Sequence, residues 1–238
     1  MAKVSETVAA KPVTLTINGQ KVEAREGMTL LDAAKSAGID IPTLCYHEML
    51  SNYGACRLCV VEIFRGKRSR IVASCLYPVE EGLEVQTESD RVTRHRKMIL
   101  EMMLARWPWM DKALLQKYGV EKTRFDESTT FCILCGLCVR YCAEVKKENV
   151  LGFIGRGTQR QVVFYPELAA KACPKCGSSR GEMECLKVCP TGIIPSDFAW
   201  PTIAQETKPL VFPIRMQDDD NARSVSDQVG DVERKKKS

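Results

Sequence analysis

The sequence predicts an α+β protein with three parts: a small mixed sheet that grips one helix, a helical connector and a cysteine-rich domain. Three observations favour this class. A strand pattern with an Asn18-Gly19 turn opens the chain, apolar residues recur at near-helical spacing between Arg91 and Arg106, and the twelve cysteines form three groups of four. The predicted boundaries are a flexible leader at 1–11, the sheet domain at 12–89, the connector at 90–126, the cysteine-rich domain at 127–208, and a tail at 209–238 that is disordered or folds on a partner.

The sheet domain begins with a predicted hairpin. Apolar and polar residues alternate from Val13 to Ile17, Asn18-Gly19 supplies a two-residue turn, and QKVEA continues as the partner strand. The stretch from Thr29 to Asp32 resembles a capping box and starts a helix that ends near Gly38. Further strands are expected at Val60–Phe64, Arg70–Ser74 and Leu83–Thr87.

The connector is predicted to contain two helices. Asp90 is expected to cap the first, from Arg91 to Arg106, and the second runs from Met110 to Tyr118. The apolar face of the first helix is expected to consist of Val92, Ile99, Met102 and Met103.

The charge pattern does not indicate nucleic-acid binding. The net charge is +5, and basic residues alternate with acids such as Glu88, Asp90 and Glu101. Mixed charge of this kind predicts a solvated helix face, and no nucleic-acid-binding motif accompanies it. His95 is interpreted as an exposed surface histidine. The basic residues of this predicted solvated face are Arg91, Arg94, Arg96 and Lys97.

The cysteine spacings indicate iron–sulfur clusters, which need four thiolates around an inorganic core, and all three runs are expected to bring their sulfurs together on tight loops. The groups have the spacings C-x10-C-x2-C-x15-C, C-x2-C-x2-C-x3-C and C-x2-C-x8-C-x3-C. No apolar run suits an export signal or a membrane span of ~18 residues, so the expected location is the cytoplasm, where thiols stay reduced. The groups are Cys45, Cys56, Cys59 and Cys75; then Cys132, Cys135, Cys138 and Cys142; then Cys173, Cys176, Cys185 and Cys189.

The first group predicts a [2Fe–2S] cluster, held by Cys45, Cys56, Cys59 and Cys75 on tight loops. The other two groups repeat one design. In two-cluster bacterial ferredoxins the fourth cysteine of each run ligates the cluster of the other run. By that rule one [4Fe–4S] cluster is held by Cys132, Cys135, Cys138 and Cys189, and the other by Cys142, Cys173, Cys176 and Cys185.

Two alternative readings of these residues remain. Paired C-x2-C knuckles also make zinc sites, although the x2-x2-x3 spacing suits a zinc ribbon poorly. His47 lies near Cys45 and would replace a cysteine ligand in a second alternative.

The residues resemble a known family. DIPTLCYHEMLSNYGACRLCVVEI and ASCLYPVEEGLEVQTESDRVTRHRKMILEMMLARWP are similar to the N-terminal region of the iron–sulfur subunit of respiratory complex I. They equally resemble the small diaphorase subunit of NAD-linked hydrogenases and related formate dehydrogenase subunits. The resemblance covers roughly residues 13 to 200. It implies a β-grasp [2Fe–2S] ferredoxin domain, a helical connector and a bacterial-ferredoxin-like domain with two [4Fe–4S] clusters.

The sequence departs from this family at one cluster. Relatives often carry a further cluster after the long helix, ligated by one histidine and three cysteines. Here Trp107 stands where the resemblance would place the histidine, and no cysteine precedes Cys132 in this stretch. The resemblance therefore predicts that this cluster is absent, which favours a shorter-chain relative of the complex I subunit.

The resulting hypothesis is an electron-transfer subunit of a soluble NAD(P)-linked complex. The sequence shows no nucleotide-binding motif, general base or nucleophile, so no substrate site is expected on this chain. A flavin- and NAD(P)-binding partner would supply single electrons, and a catalytic partner of the hydrogenase or formate dehydrogenase type would take them. The expected assembly is thus a hetero-oligomer. The alternatives are a relay in another flavin-based, bifurcating or heterodisulfide-type complex, and a zinc-stabilised scaffold.

Overall fold

The computed structural model describes residues 11–127, 132–176 and 184–192. The predicted tail and all of the predicted leader except Lys11 lie outside these residues. All twelve cysteines are among the described residues.

The N-terminal part is a five-stranded mixed sheet with the strand order β2-β1-β5-β3-β4. Only the β1–β5 pair is parallel, and the β1–β2, β3–β4 and β3–β5 pairs are antiparallel. The sequence predicted such a sheet, with strand ends that differ by at most two residues. The strands are β1 (Pro12–Ile17), β2 (Gln20–Arg25), β3 (Val60–Arg65), β4 (Arg68–Ala73) and β5 (Glu84–Gln86).

The first hairpin forms because its turn residues accept a left-handed backbone. Asn18 and Gly19 have φ angles of 53° and 82°, as a two-residue turn between twisted strands requires. Ile17 pairs with Gln20 directly across this turn. The turn therefore sets the register of β1 against β2.

Helix α1 (Leu30–Ser36) packs on this sheet. The predicted capping box is present, because the Thr29 hydroxyl accepts from the Asp32 N–H while the Asp32 side chain accepts from the Thr29 N–H. Its buried residues Leu30 and Leu31 share one hydrophobic core with the sheet. This core holds the two strand ends that carry Cys59 and Cys75.

The connector contains α2 (Asp90–Leu104) and α3 (Lys112–Lys117). Helix α3 lies within its predicted range, whereas α2 begins one residue before the predicted start at Arg91. The residue that caps α2 is Ser89, whose hydroxyl accepts from the Val92 N–H, so the prediction of Asp90 as the cap is wrong. The predicted apolar face is also partly wrong. Met102 is 47% exposed, whereas Leu100 is fully buried.

The cysteine-rich part combines short helices with a small hairpin. Helix α4 (Leu137–Arg140) continues into one π-helical turn, Tyr141–Val145. Strands β6 (Leu151–Ile154) and β7 (Gln161–Phe164) form an antiparallel hairpin, with a 3₁₀ turn (Gly157–Gln159) between them. Helices α5 (Pro166–Cys176) and α6 (Glu184–Lys187) follow, and the sequence analysis did not predict them. Of the helices in the described ranges, none has the length and apolar character needed to cross a membrane.

Candidate metal centres

The first cysteine group lies at one edge of the sheet domain, and all four of its residues are buried. Cys59 directly precedes β3 and Cys75 follows β4 after one residue, Ser74. Because Val60 pairs with Ala73 in this antiparallel ladder, Cys59 and Cys75 lie next to each other. Ser74 fixes this approach, since its N–H and its hydroxyl both donate to the Cys59 carbonyl oxygen, at 3.1 and 2.7 Å.

The loop between α1 and β3 supplies the other two cysteines. Gly54 and Arg57 both have a left-handed backbone, with φ angles of 68° and 57°. A Cβ atom on Gly54 would lie 2.3 Å from the Leu76 side chain, so only glycine fits without a rearrangement. The loop turns tightly enough that the Cys56 N–H donates to the Cys45 sulfur at 3.4 Å.

The sulfurs of this group form two hydrogen-bonded pairs. A hydrogen bond from the Cys45 thiol lowers the pKa of Cys56 to about 6, and one from the Cys75 thiol lowers the pKa of Cys59 to about 7. The pKa values of the donating thiols, Cys45 and Cys75, are raised by the same bonds and by burial. In each pair the hydrogen bond favours a thiolate on the accepting sulfur, Cys56 or Cys59, and a thiol on the donating sulfur. Thiolate is the form that binds iron, so the donor set fits an iron–sulfur cluster.

The second and third groups face two separate apolar cavities. One cavity is bordered by Leu151 and Phe164 together with three cysteines of the second run and the last cysteine of the third run. The other is bordered by the same two apolar residues together with the last cysteine of the second run and three of the third. The first cavity contains Cys132, Cys135, Cys138 and Cys189; the second contains Cys142, Cys173, Cys176 and Cys185.

These thiols differ electrostatically from the first group. Burial raises the pKa of Cys135 and of Cys173 to about 12, and it raises the pKa of Cys138 well above its ordinary value. Burial also raises the pKa of Cys132, and the neighbouring Cys189 sulfur contributes to that rise. Binding of iron would have to displace these protons, and the free energy of forming iron–sulfur bonds would offset that cost.

Helices position several of these cysteines, whereas the sequence analysis placed the cysteines on tight loops. Cys138 lies in α4, Cys142 in the π-helical turn, and Cys173 and Cys176 in the last turns of α5. That part of the prediction is wrong. A spacing of three residues is typical of one helical turn as well as of a loop, so the spacing alone does not distinguish them.

The zinc alternative requires side chains that converge on one ion. Within the described ranges, no three side chains of the His, Cys, Asp and Glu types converge closely enough to hold a single metal ion, which applies to zinc and to a single iron alike. The cysteines of the second and third groups instead surround two shared cavities.

The histidine predictions can be compared with the positions of both rings. The Nδ1 atom of His47 accepts from the Met49 N–H at 3.2 Å, and its ring lies edge-on to Tyr141. This hydrogen bond occupies Nδ1, one of the two ring nitrogens through which a histidine can bind a metal. His95 is exposed, as predicted, and its Nδ1 atom lies 2.7 Å from the Arg91 carbonyl oxygen.

Trp107, which replaces the family's histidine in the resemblance, is a core residue. It is 8% exposed and belongs to the same hydrophobic cluster as Cys45, Cys56 and Cys135. Its Nε1 atom is buried without a hydrogen-bond partner in the described part of the chain. An indole has no lone pair for a metal, so this side chain suits packing rather than ligation.

Two buried arginines next to the first group were missed. Arg96 was predicted on a solvated face, yet it is fully buried, and that prediction is wrong. Its spacing was a usable signal, because Arg96 lies four residues from both Val92 and Leu100, the buried residues of α2. Arg140 is 8% exposed and contacts the Cys45 carbonyl oxygen. No periodic pattern in the sequence identified Arg140.

The comparisons with known proteins agree with this geometry. A family model described as a 2Fe-2S iron–sulfur cluster binding domain matches residues 10–90. The chain is 32% identical over 233 residues to the NADP-reducing hydrogenase subunit HndD of Solidesulfovibrio fructosivorans, an alignment that covers 83% of this chain and 38% of that protein. It is 30% identical over 248 residues to the NADH-ubiquinone oxidoreductase 75 kDa subunit of Reclinomonas americana, covering 92% and 33% respectively.

A solved hydrogenase structure is also similar to this chain. A chain of an NAD+-reducing [NiFe]-hydrogenase in the H2-reduced state superposes with a TM-score of 0.62 at 30% identity, covering 76% of this chain and 86% of that one. The chain spans only 25–38% of the length of the curated relatives it matches. The chain belongs to the family of iron–sulfur subunits that NAD(P)-linked hydrogenases share with the N-terminal region of the complex I 75 kDa subunit.

Proposed function

We propose that this chain is the electron-relay subunit of an NAD(P)-linked oxidoreductase complex. It carries single electrons between a flavoprotein partner and a catalytic subunit of the hydrogenase or formate dehydrogenase type. The observation that carries this proposal is the side-by-side placement of three cysteine groups. Leu151 and Phe164 separate the second and third sites, and Cys56 and Cys135 share one hydrophobic cluster between the first and second sites.

The proposed ligand sets follow the three groups of neighbouring sulfurs. Cys45, Cys56, Cys59 and Cys75 would hold a [2Fe–2S] cluster. The cavity linings support a crossed arrangement for the two [4Fe–4S] clusters, since Cys189 and Cys142 each border the cavity of the other run. Bound clusters of these types would each accept and return one electron at a time. The first [4Fe–4S] set is Cys132, Cys135, Cys138 and Cys189, and the second is Cys142, Cys173, Cys176 and Cys185.

The protein's own part is to shape and insulate these sites. The sulfurs of the first group accept backbone hydrogen bonds from the loop, among them those of Ala55, Cys56 and Leu58. Such bonds offset negative charge on sulfur and thereby tune the reduction potential. Phe164, which borders both the second and the third site, is 1% exposed and so is shielded from solvent.

The partners follow from electron counting. A nicotinamide gives up its electrons in pairs as hydride, whereas iron–sulfur clusters take them singly, so a flavin must stand between the two. The names of the relatives in hydrogenase and complex I assemblies support such a division of labour. A flavin- and NAD(P)-binding subunit is therefore the proposed donor or acceptor on one side.

Anaerobic purification of the native complex tests this function. We expect NADH or NADPH to reduce the clusters in the complex within seconds, and to leave them oxidised when this chain is isolated from its flavoprotein. Dithionite should reduce them in both samples, which controls for intact clusters. A complex whose flavin subunit binds no nicotinamide would contradict the proposal and favour a bifurcating or heterodisulfide-type relay. Nicotinamide oxidation by this chain alone would also contradict it.

A further inference from the structure

Arg140 joins two of the cysteine groups. It lies in α4 between Cys138 and Cys142 of the second group, yet its guanidinium contacts the loop that carries the first group. Nη2 donates to the Cys45 carbonyl oxygen at 2.7 Å, and Nη1 donates to the Ser51 carbonyl oxygen. These partners are 95 and 89 residues away in the sequence.

The surroundings of Arg140 shield its positive charge from water. The residue is 8% exposed, and its Cζ atom lies 5.3 Å from the centre of the Tyr53 ring. Glu144, one turn further on, accepts from the Ser51 N–H and hydroxyl at 2.7 and 2.6 Å. Carbonyl oxygens carry only partial charge and the Glu144 carboxylate is partly exposed to water, so these groups offset only part of the field of the buried cation.

We propose that Arg140 is a positioning residue that fastens the Cys45 loop to the second cysteine run and raises the reduction potential of the [2Fe–2S] cluster. This inference rests on the proposed function. Reduction adds one electron to the site and so makes its charge more negative by one. A fixed positive charge beside Cys45 favours that reduced state. The planar fork of arginine suits the task, because one side chain binds two carbonyl oxygens at fixed angles.

The test is a redox titration of the full chain with its clusters, followed by electron paramagnetic resonance. In Arg140→Met we expect the one-electron equilibrium constant of the [2Fe–2S] signal to fall roughly tenfold, a shift of about 59 mV to more negative potential. The control Arg94→Met removes an exposed arginine whose side chain donates to the Asp90 carbonyl oxygen. Its [2Fe–2S] potential should equal that of the unmodified chain.

A second variant should shift the [2Fe–2S] reduction potential in the opposite direction. Glu144→Gln removes a negative charge from the same loop contact, so its [2Fe–2S] potential should rise. A purely structural role for Arg140 predicts no such opposed pair of shifts. If Arg140→Met fails to assemble its clusters, Glu144→Gln decides the question alone, and an unchanged potential then overturns the proposal.

Spin relaxation in the fully reduced chain tests whether Arg140 fastens the Cys45 loop to the second cysteine run. We expect the [2Fe–2S] signal of Arg140→Lys to saturate at lower microwave power than in the unmodified chain, because lysine cannot bind both carbonyl oxygens and the neighbouring spin moves away on average. Unchanged potential in Arg140→Met with full iron content would overturn the inference and leave the relay function standing. A chain that holds no iron or sulfide would overturn the relay function itself.

Discussion

Arg96 donates hydrogen bonds to the carbonyl oxygens on either side of Cys59. Nε reaches the Leu58 oxygen at 3.1 Å, and Nη2 reaches the Val60 oxygen at 2.8 Å. Nη1 also donates to Glu88 at 3.0 Å and to the Tyr118 hydroxyl at 2.7 Å. A single buried side chain therefore ties the long connector helix to the strand end that holds a candidate iron ligand.

Replacing this arginine is expected to destabilise the protein strongly. Arg96→Met would leave the Leu58 and Val60 carbonyls without this partner and should cost roughly 3–5 kcal/mol of unfolding free energy. Anaerobic guanidinium denaturation, followed by the visible circular dichroism of the clusters, measures the loss. Arg94→Met on the exposed face of the same helix should stay within about 0.5 kcal/mol of the unmodified chain. Equal stability of the two variants would contradict the role given to Arg96.

Cys189 tests the crossed ligand sets. Cys189→Ser should remove or alter the paramagnetic signal of the cluster in the cavity with Cys132, Cys135 and Cys138, and it should spare the cluster of its own run. Cys142→Ser is the converse variant and should do the opposite. Loss of the same signal in both variants, with the domain still folded, would contradict the crossing.

Helix α4 follows a glycine, Gly136, whose backbone conformation and close neighbours favour a residue without a side chain. Gly136, between Cys135 and Cys138, has a φ angle of 71°. A Cβ atom there would lie 3.1 Å from the Tyr53 ring and 3.2 Å from the Phe153 ring. These rings stack on each other at 6.2 Å between centroids, and both would have to shift to admit the Cβ atom. The start of α4 is thereby packed against both the first loop and β6.

Gly136→Ala should therefore reduce the iron content of the first [4Fe–4S] site. Gly119→Ala is a matched control, because Gly119 also has a left-handed backbone, with a φ angle of 63°, and its Cβ would approach only the Lys97 ammonium at 3.9 Å. Both variants carry the backbone cost of about 1 kcal/mol, and only Gly136→Ala adds the collision. Iron analysis and the midpoint of thermal unfolding distinguish them. A Gly119→Ala loss as large as that of Gly136→Ala would show that the ring contacts are unimportant.

Elements with local signals were predictable, and those without were not. The Asn18-Gly19 turn and the Thr29–Asp32 capping box are set by adjacent residues, and both are present in the fold. Helix α5 was missed because Pro174 lies inside it, where proline suggests a break, although Pro166 at its first position is a typical helix start. The spacing of Arg96 from Val92 and Leu100 signalled its burial, but its carbonyl partners lie 36 and 38 residues away, and no local pattern reveals them.

On the scale of the whole molecule, shared residues link the three candidate sites within the described ranges. The first and second groups meet in the cluster that contains Cys45, Cys56 and Cys135, and the Cys56 sulfur contributes to the raised pKa of Cys135. The second and third sites share Leu151 and Phe164. This succession could be predicted only in part. The spacing of the cysteines indicated three sites, whereas their order in space depends on the fold of the connector.

The account depends most directly on the metal content of the chain. Iron, zinc and acid-labile sulfide should be measured on anaerobically purified protein of known concentration. We expect about ten irons and about ten sulfides per chain, two of each for the first site and four of each for the second and third, with a brown colour. A correctly folded, colourless chain that carries zinc and no sulfide would contradict the electron-relay function and favour a scaffold.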